Sequence, residues 1–355
     1  MAKLEQLFEE WKSLLPLSET KRFLMSKRFV VDYNYNSNHI EGNTLTYGQT
    51  EILLLFGKVI GEGDLKDFDD MKASQLGMKA MEEQAKIKDI PLTQNFIRQL
   101  HKILLREDYT VYKNLPGGFT TSYVIHAGQY KTRPNSVITR YGDRFEYASP
   151  EETPALMNDL VDWYNESEKS GQYTPVELAA LFHYRYIRIH PFEDGNGRIA
   201  RLMVNYILCR HDWPMIVVRS RNKSKYIEAL HQADLVVGPQ PSKGAKASLR
   251  NAGKFITYFK SLVEEELKYN IAFAKETSEK IWWFDGEKIK FKSSSGPAIL
   301  EEINYNPLIT VEEISKRVGI VPRAVKRLLS SMVDKGYIQR SEKDGSWYVF
   351  ATQSV

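Results

Sequence analysis

A chain of 355 residues, 42% hydrophobic and 26% charged, has the balance of a folded protein with a sizeable core, and it is long enough for two or three domains. A net charge of +4 on this length does not by itself argue for a nucleic-acid partner. The single cysteine, Cys209, excludes an internal disulfide and no apolar run approaches the roughly 18 residues of a membrane span, so a reducing, cytoplasmic setting without membrane contact is expected.

Residues 1–30 place Leu4, Leu7, Phe8, Trp11 and Leu15 on one helical face, interrupted by Pro16. The stretch from Tyr33 to Asn43 reads as a short polar helix. Gly42 can end it in the left-handed conformation, which makes Glu41 its last residue and sets Ser37 four positions earlier on the same face. A carboxylate at a helix C-terminus opposes the helix dipole, so Glu41 calls for a cationic partner elsewhere. Thr46 and Gln49 form a capping box that opens a helix running to Phe56. Further helices are expected over 67–88 and 93–105, the second capped by Thr93. His101 lies on it beside Leu100 and Leu104. With no second His or Cys spaced to join it, His101 reads as a packed structural residue and not as a metal ligand.

Residues 115–150 change character. Pro116-Gly117-Gly118 is followed by β-prone pieces at 121–126, 137–140 and 144–147, the last two flanking a Tyr141-Gly142-Asp143 turn. Helices are then expected over 154–165 and 176–188, the second ending near Pro191.

The densest stretch follows: His190-Pro191-Phe192-Glu193-Asp194-Gly195-Asn196-Gly197-Arg198-Ile199-Ala200-Arg201. Ile199, Leu202, Met203, Tyr206 and Ile207 recur with helical period, so the string is a loop that opens a helix. Gly195 and Gly197 permit tight turns, and the free N–H groups of the new helix then point into the loop, where an anion is stabilised. Arg198 and Arg201 share a face of that helix, and two guanidiniums at a helix terminus suit a polyphosphate. Asp194 is a lone carboxylate in this cationic setting. Magnesium commonly takes one or two carboxylates and fills its shell with water and phosphate oxygens. His190 titrates near neutrality and suits a general base.

At every defined position the string resembles the signature of the Fic family, His-Pro-Phe-x-(Asp/Glu)-Gly-Asn-Gly-Arg-x-x-Arg, whose members are mostly protein adenylyltransferases. The resemblance implies that ATP is the substrate and that His190 deprotonates a hydroxyl on a target protein. Asp194 would hold Mg2+ or Mn2+. Gly195, Asn196 and Gly197 would bind the inner phosphates, and Arg198 and Arg201 the outer ones. Upstream, Ser37-x-x-x-Glu41-Gly42 is similar to the family's inhibitory motif. The β-prone segment before Pro150 falls where Fic proteins carry a flap that docks the target as an added strand, which would set Val137, Ile138 and Thr139 along the site. Asn205 resembles the family's adenine-side asparagine, and Tyr226 sits where a tyrosine is often found near the nucleotide.

After the basic stretch Arg219, Arg221, Lys223 and Lys225, which reads as a solvated face, a flexible loop is expected at 238–252 and a helix at 254–279. Beyond a linker ending in Ser293-Ser294-Ser295-Gly296, helices at 297–305, 311–318 and 322–335 and a hairpin at 337–340 and 347–350 resemble a winged helix-turn-helix. Arg323, Lys326 and Arg327 suit phosphates, but Glu301, Glu302, Glu312 and Glu313 nearly cancel the basic charge. That weighs against DNA and toward docking, homodimer formation or regulation.

The expected fold class is therefore mainly α: a Fic helical bundle with a small β-hairpin flap, plus a C-terminal winged helix-turn-helix. The expected division is 1–110 with an inhibitory helix at about 33–42, a catalytic core at 111–280 with its flap at about 129–148, a linker at 281–296, and a winged-helix domain at 297–355. Every candidate site residue precedes that linker, so removal of 297–355 is expected to spare the chemistry. The expected function is AMP transfer from ATP to Ser, Thr or Tyr hydroxyls of targets and of the chain itself, restrained by Glu41. The alternatives are another Fic chemistry, namely other nucleotide transfer, phosphorylation or removal of AMP, or a DNA-binding regulator with a nucleotide-sensing Fic part.

Overall fold

A computed structural model describes residues 2–114, 120–138 and 144–354, and only the backbone of Ala2, Val137, Ile138 and Arg144. In chain order its elements are α1 Ala2–Ser13, α2 Glu19–Ile40, α3 Tyr47–Phe56, α4 Leu65–Ala85, α5 Gln94–Leu105, β1 Tyr109–Asn114, β2 Thr120–Ile125, β3 Ser136–Ile138, β4 Arg144–Glu146, α6 Thr153–Ser170, α7 Pro175–Ile189 and α8 Asn196–Arg210. Then follow α9 Lys223–Val237, α10 Pro241–Ala245, α11 Gly253–Lys275, β5 Trp282–Phe284, β6 Glu287–Lys288, α12 Ser295–Tyr305, α13 Val311–Val318, α14 Pro322–Asp334, β7 Ile338–Arg340, β8 Trp347–Val349 and β9 Thr352–Gln353. The chain is mostly helical with a few small strands. Among the described residues no helix is long and apolar enough to cross a membrane.

Two compact units emerge: one holds 36–43 and 65–265, the other 1–35, 44–64 and 266–355. The centre of the first is α7 packed on α8, with α4 on α8 and α5, and α6 on α7. Both central helices are buried nearly all round, polar residues such as Arg185 and Arg188 on α7 and Arg198, Arg201 and Asn205 on α8 included. In α7, Val176, Leu178, Ala179, Leu181 and Phe182 are buried; in α8, Ile199, Leu202, Met203, Tyr206 and Leu208 are. Local chemistry fixes where α7 begins: Thr174 caps Glu177 N–H, the Glu177 side chain returns the bond, and Pro175 takes the first turn, where no N–H is needed.

In the second unit, α12–α14 surround a core of Ile299, Leu300, Ile303, Ile314, Val325, Leu329 and Met332. The β7–β8 hairpin is the wing. This architecture, a C-terminal winged helix, is the expected one.

Four expectations change. The segment at 33–42 is not a separate short helix but the end of α2, which starts at Glu19. Its polar run is buried because each amide finds a partner: Asn34 Nδ2 donates to Val30 O at 2.7 Å, and Asn36 Oδ1 accepts from Ser220 N at 2.7 Å. The strand at Thr120–Ile125 pairs with Tyr109–Asn114 and not with the flap. The Pro/Gly/Ser-rich stretch 238–252 contains the short helix α10, and the helix after it ends at Lys275.

The fourth concerns the linker at 281–296, which is built structure. It holds β5, β6 and the start of α12, and β5 lies between β6 and β9 in a three-stranded sheet. Trp282 and Trp283 are buried there. Composition suggested a linker because Ser and Lys dominate its end, while two tryptophans and a strand from the far C-terminus decide its fold. Phe350 also packs with Val31, Tyr47 and Ile52 in one cluster. Residues 297–355 are thus not a detachable appendage, and removing them would strip β9 from β5 and uncover Val31 and Tyr47.

Candidate functional site

The site is built on the turn between α7 and α8. His190 caps α7 in the left-handed conformation, φ 53° and ψ 60°, with its N–H on Tyr186 O. An L residue held there needs a surrounding that over-determines it. Three side chains supply one. Lys131 Nζ donates to Ile189 O at 3.1 Å and His190 O at 2.9 Å. Asn135 Nδ2 donates to Phe192 O at 3.0 Å. Asn196 folds back on Phe192, accepting from its N–H at 3.0 Å and donating to its carbonyl at 2.7 Å.

His101 completes the frame. Its ring stacks on Phe192 at 3.7 Å, Nδ1 accepts from Gly128 N–H at 2.8 Å, and Nε2 lies 3.0 Å from Asp194 O. Since Nδ1 accepts, the proton is assigned to Nε2, which donates to Asp194 O. Burial pushes its pKa down to about 4, which keeps it neutral. So His101 is structural, as its apolar neighbours implied, but its task of holding the loop was not readable: only the fold sets it against Asp194.

The His190 ring stacks on Tyr147 at 3.9 Å. Burial first, then the charge of Lys131, pushes its pKa down to about 3. The imidazole is therefore neutral at physiological pH and can accept a proton, but it is a weaker base here than a free imidazole, which titrates near neutrality, because burial and Lys131 disfavour its charged form.

The start of α8 is open for an anion. Gly195 precedes it at φ 76° with no side-chain cap on the helix, so the first N–H groups have no intrahelical acceptor. Arg198 and Arg201 are both almost fully buried, and each meets a carboxylate. Arg198 lies 3.4 Å from Asp70 and 3.4 Å from Asp194. Arg201 donates to Glu41 Oε1 at 2.7 Å, to Ser37 Oγ at 3.0 Å and to Ser37 O at 2.8 Å. The cationic partner that Glu41 calls for is Arg201, and both residues of the Ser37/Glu41 pair meet it. Gly197 makes this seat: a Cβ there would overlap Glu41 Oε1 and crowd Arg201 Nη1.

The sequence profile of the Fic/DOC family matches residues 91–208, the part that carries this turn, and a winged helix-turn-helix DNA-binding profile matches 297–339. A Fic domain containing signaling protein from Bacteroides thetaiotaomicron is 50% identical, with TM-score 0.72 over 78% of this chain and 98% of that one. The chain belongs to the Fic family. A Fic family protein from Desulfovibrio desulfuricans shares the fold over 98% of this chain at TM-score 0.57 and 19% identity. Curated relatives include protein adenylyltransferase fic-1 of Caenorhabditis elegans, 28% identical over 233 residues. The Drosophila willistoni protein adenylyltransferase Fic is 30% identical over 201 residues. The chain spans 42% of the first and 36% of the second.

Fic membership implies a divalent metal, and the residues present fit one. Asp194 Oδ1 accepts from Gly195 N–H at 2.6 Å and Oδ2 from Tyr109 O–H at 2.7 Å. Burial would raise its pKa, but the charge of Arg198 and these hydrogen bonds more than offset that and hold it below the usual range, ionised. Among the described residues no group of three or more His, Cys, Asp or Glu gathers as an all-protein cage. A hard cation held by one carboxylate and by substrate oxygens is what this donor set suits. Tyr109 was not foreseen; it arrives on β1, a strand that the sequence reading did not mark.

The remaining Fic-derived candidates are placed less directly. Val137 and Ile138 lie on β3, paired with Phe145 and Arg144 of β4, while Thr139 and the Tyr141-Gly142-Asp143 turn lie outside the described residues, as does Pro116-Gly117-Gly118. Asn205 is buried with its amide spent on Ile216, accepting from N–H at 2.8 Å and donating to O at 3.0 Å. The Asn196 side chain is likewise spent on Phe192, which leaves its backbone N–H as its group at the anion cradle. Tyr226 is buried, its hydroxyl 2.8 Å from His183 Nε2. Burial raises the Cys209 thiol to about 12, which suits an inert packed cysteine.

Proposed function

We propose that this chain is a protein adenylyltransferase that transfers AMP from ATP to a Ser, Thr or Tyr hydroxyl of a target protein, and to itself, and that Glu41 restrains it. The observation that carries the reading is the cluster at the start of α8: unpaired helix N–H groups, Arg198, Arg201 and Asp194 beside a neutral His190. In this reading the triphosphate lies over the α8 N-terminus, where the N–H groups and the helix dipole stabilise its charge. Asp194 would hold Mg2+ or Mn2+, and when bound the metal neutralises phosphate charge. His190 takes the proton of the target hydroxyl, whose oxygen attacks the α-phosphorus. The bond from that phosphorus to the bridging oxygen breaks, and pyrophosphate leaves with the bond's electrons.

Glu41 restrains the reaction by competition. It occupies Arg201 and places a negative charge where the outer phosphate would lie. A charge-assisted bond contributes about 1.5–3 kcal/mol, and each 1.36 kcal/mol of barrier is a factor of about ten in rate. Glu41→Gly should therefore raise auto-AMPylation about tenfold to a hundredfold. Labelled ATP, GTP, CTP and UTP offered to both proteins would test the chemistry and the nucleotide together. Equal rates for the two proteins would remove Glu41 from control. Transfer only from another nucleotide would replace AMP as the group transferred.

A further inference from the structure

The chain entering the β3–β4 hairpin fixes the backbone at His190 but not its ring. Lys131 and Asn135, just before β3, donate to the carbonyls of Ile189, His190 and Phe192, and the Lys131 N–H donates to Pro191 O at 2.9 Å. These bonds set where the His190 side chain starts. They leave χ2 of the imidazole, a soft torsion with broad wells, unset. In many histidines a hydrogen bond to one ring nitrogen orients the other. Here Nδ1 is buried, and among the described residues no atom meets it with hydrogen-bond geometry. The Ile187 carbonyl favours the charged form of the ring, but without such a bond it does not fix the plane.

What meets the ring is Tyr147, the first residue after β4, face to face: the centroids are 3.9 Å apart and the planes 12° apart. Two flat faces this close allow one ring plane, because turning the imidazole about χ2 drives its edge into the phenol. Tyr147 is itself braced. Phe145 meets it edge on at 5.4 Å and 70°, and the Arg188 guanidinium lies over the Phe145 ring at 4.9 Å. Arg188 is buried and held by Asp234 at 3.0 Å and by Gly238 O at 2.8 Å. Burial pushes the Tyr147 hydroxyl up to about 12, so the ring stays a neutral phenol, whose face attracts a cation. Once His190 takes a proton, that face lies against an imidazolium and opposes the penalty that burial and Lys131 impose on it.

We infer that Tyr147 is a positioning residue: its ring fixes the plane of the His190 imidazole, so that Nε2 meets the target hydroxyl, and stabilises the imidazolium as it forms. This rests on the adenylyltransferase reading above. It also ties the β3–β4 hairpin to the base, since β4 leads directly into the residue that holds the imidazole.

The test is single-turnover transfer beside equilibrium ATP binding, in Glu41→Gly carrying Tyr147→Phe or Tyr147→Leu. Phe keeps a flat face and should keep transfer within about twofold. Leu keeps bulk against water without a flat face. It should cut transfer about threefold to tenfold, the range for loss of an aromatic pair. ATP binding should stay within about twofold in both, because the ring acts on the base and not on the nucleotide. Tyr147→Met stands in should the Leu variant fail to fold. Equal transfer by the Phe and Leu variants, or a loss matched in ATP binding, would overturn the inference and leave the adenylyltransferase reading in place. So would a Leu loss that persists in full beside His190→Ala, where no base is left to position. Absence of AMP transfer by Glu41→Gly itself would overturn that reading and the inference with it.

Discussion

Helices α8 and α14 each carry basic residues in their first two turns, and burial divides them. Arg198 and Arg201 on α8 are 6% and 2% exposed, and their partners are named side chains: Asp70, Asp194, Ser37, Glu41. Arg323, Lys326 and Arg327 on α14 are exposed. A buried guanidinium is costly unless its partners are fixed, so its environment states what it can bind. An exposed one is satisfied by water and states little. The two regions teach that charge becomes informative about function where the fold withholds solvent from it.

Breaking the buried side should have the largest effect. In a Glu41→Gly background, His190→Ala should cut transfer about 10²–10⁴-fold, the range for loss of a general base. ATP binding should stay within about twofold, because the base acts on the target hydroxyl. Single-turnover transfer measured beside ATP binding checks both. Undiminished transfer would take His190 out of the mechanism.

Acid should separate the regions next. His101, His183 and His190 are held neutral by burial, with pKa values pushed down to about 4, about 3 and about 3. The unfolded chain protonates each near 6.5. Between roughly pH 6 and 4 the unfolded state therefore binds more protons than the native one, and stability rises with pH; it is lost as pH falls through that window. These three histidines together should take up about three protons on unfolding near pH 5. No histidine lies in 297–355, so acid should unfold the signature region first. Melting followed by Tyr and Trp signals across pH 7 to 4 reads this, and a flat profile would contradict the buried neutral histidines.

The smallest effect belongs to α14. Arg323→Ala with Arg327→Ala should leave transfer unchanged. If this face meets nucleic acid, full-length protein should bind DNA with a steep salt dependence that the double variant reduces by about two phosphate contacts. No binding at low salt would leave docking to a protein as the use of this face. Truncation at 296 is the wrong instrument for this question, since it would uncover Trp282, Val31 and Tyr47.

The sequence by itself determined whatever rests on local chemistry. Thr46 with Gln49, and Thr93, mark helix starts where the structure has them, because a cap acts within four residues. The turn from His190 to Arg201 was legible for the same reason: helix, glycines, carboxylate and arginines follow one another along the chain. Ser37 and Glu41 were legible as a pair one turn apart, with a charge that called for a partner. Only the tertiary structure decided who that partner is and what supports it. His101, Lys131 and Asn135 hold the loop by bonds to its backbone carbonyls, and backbone acceptors leave no mark on sequence. Tyr109 reaches Asp194 from β1, far back in the chain, and only packing sets the Tyr226 hydroxyl on His183. Trp282 and Trp283 turned an expected linker into a strand because burial came from residues 352–353, which no local window contains. Contacts of that range depend on how elements pack, and packing is settled by the whole chain at once.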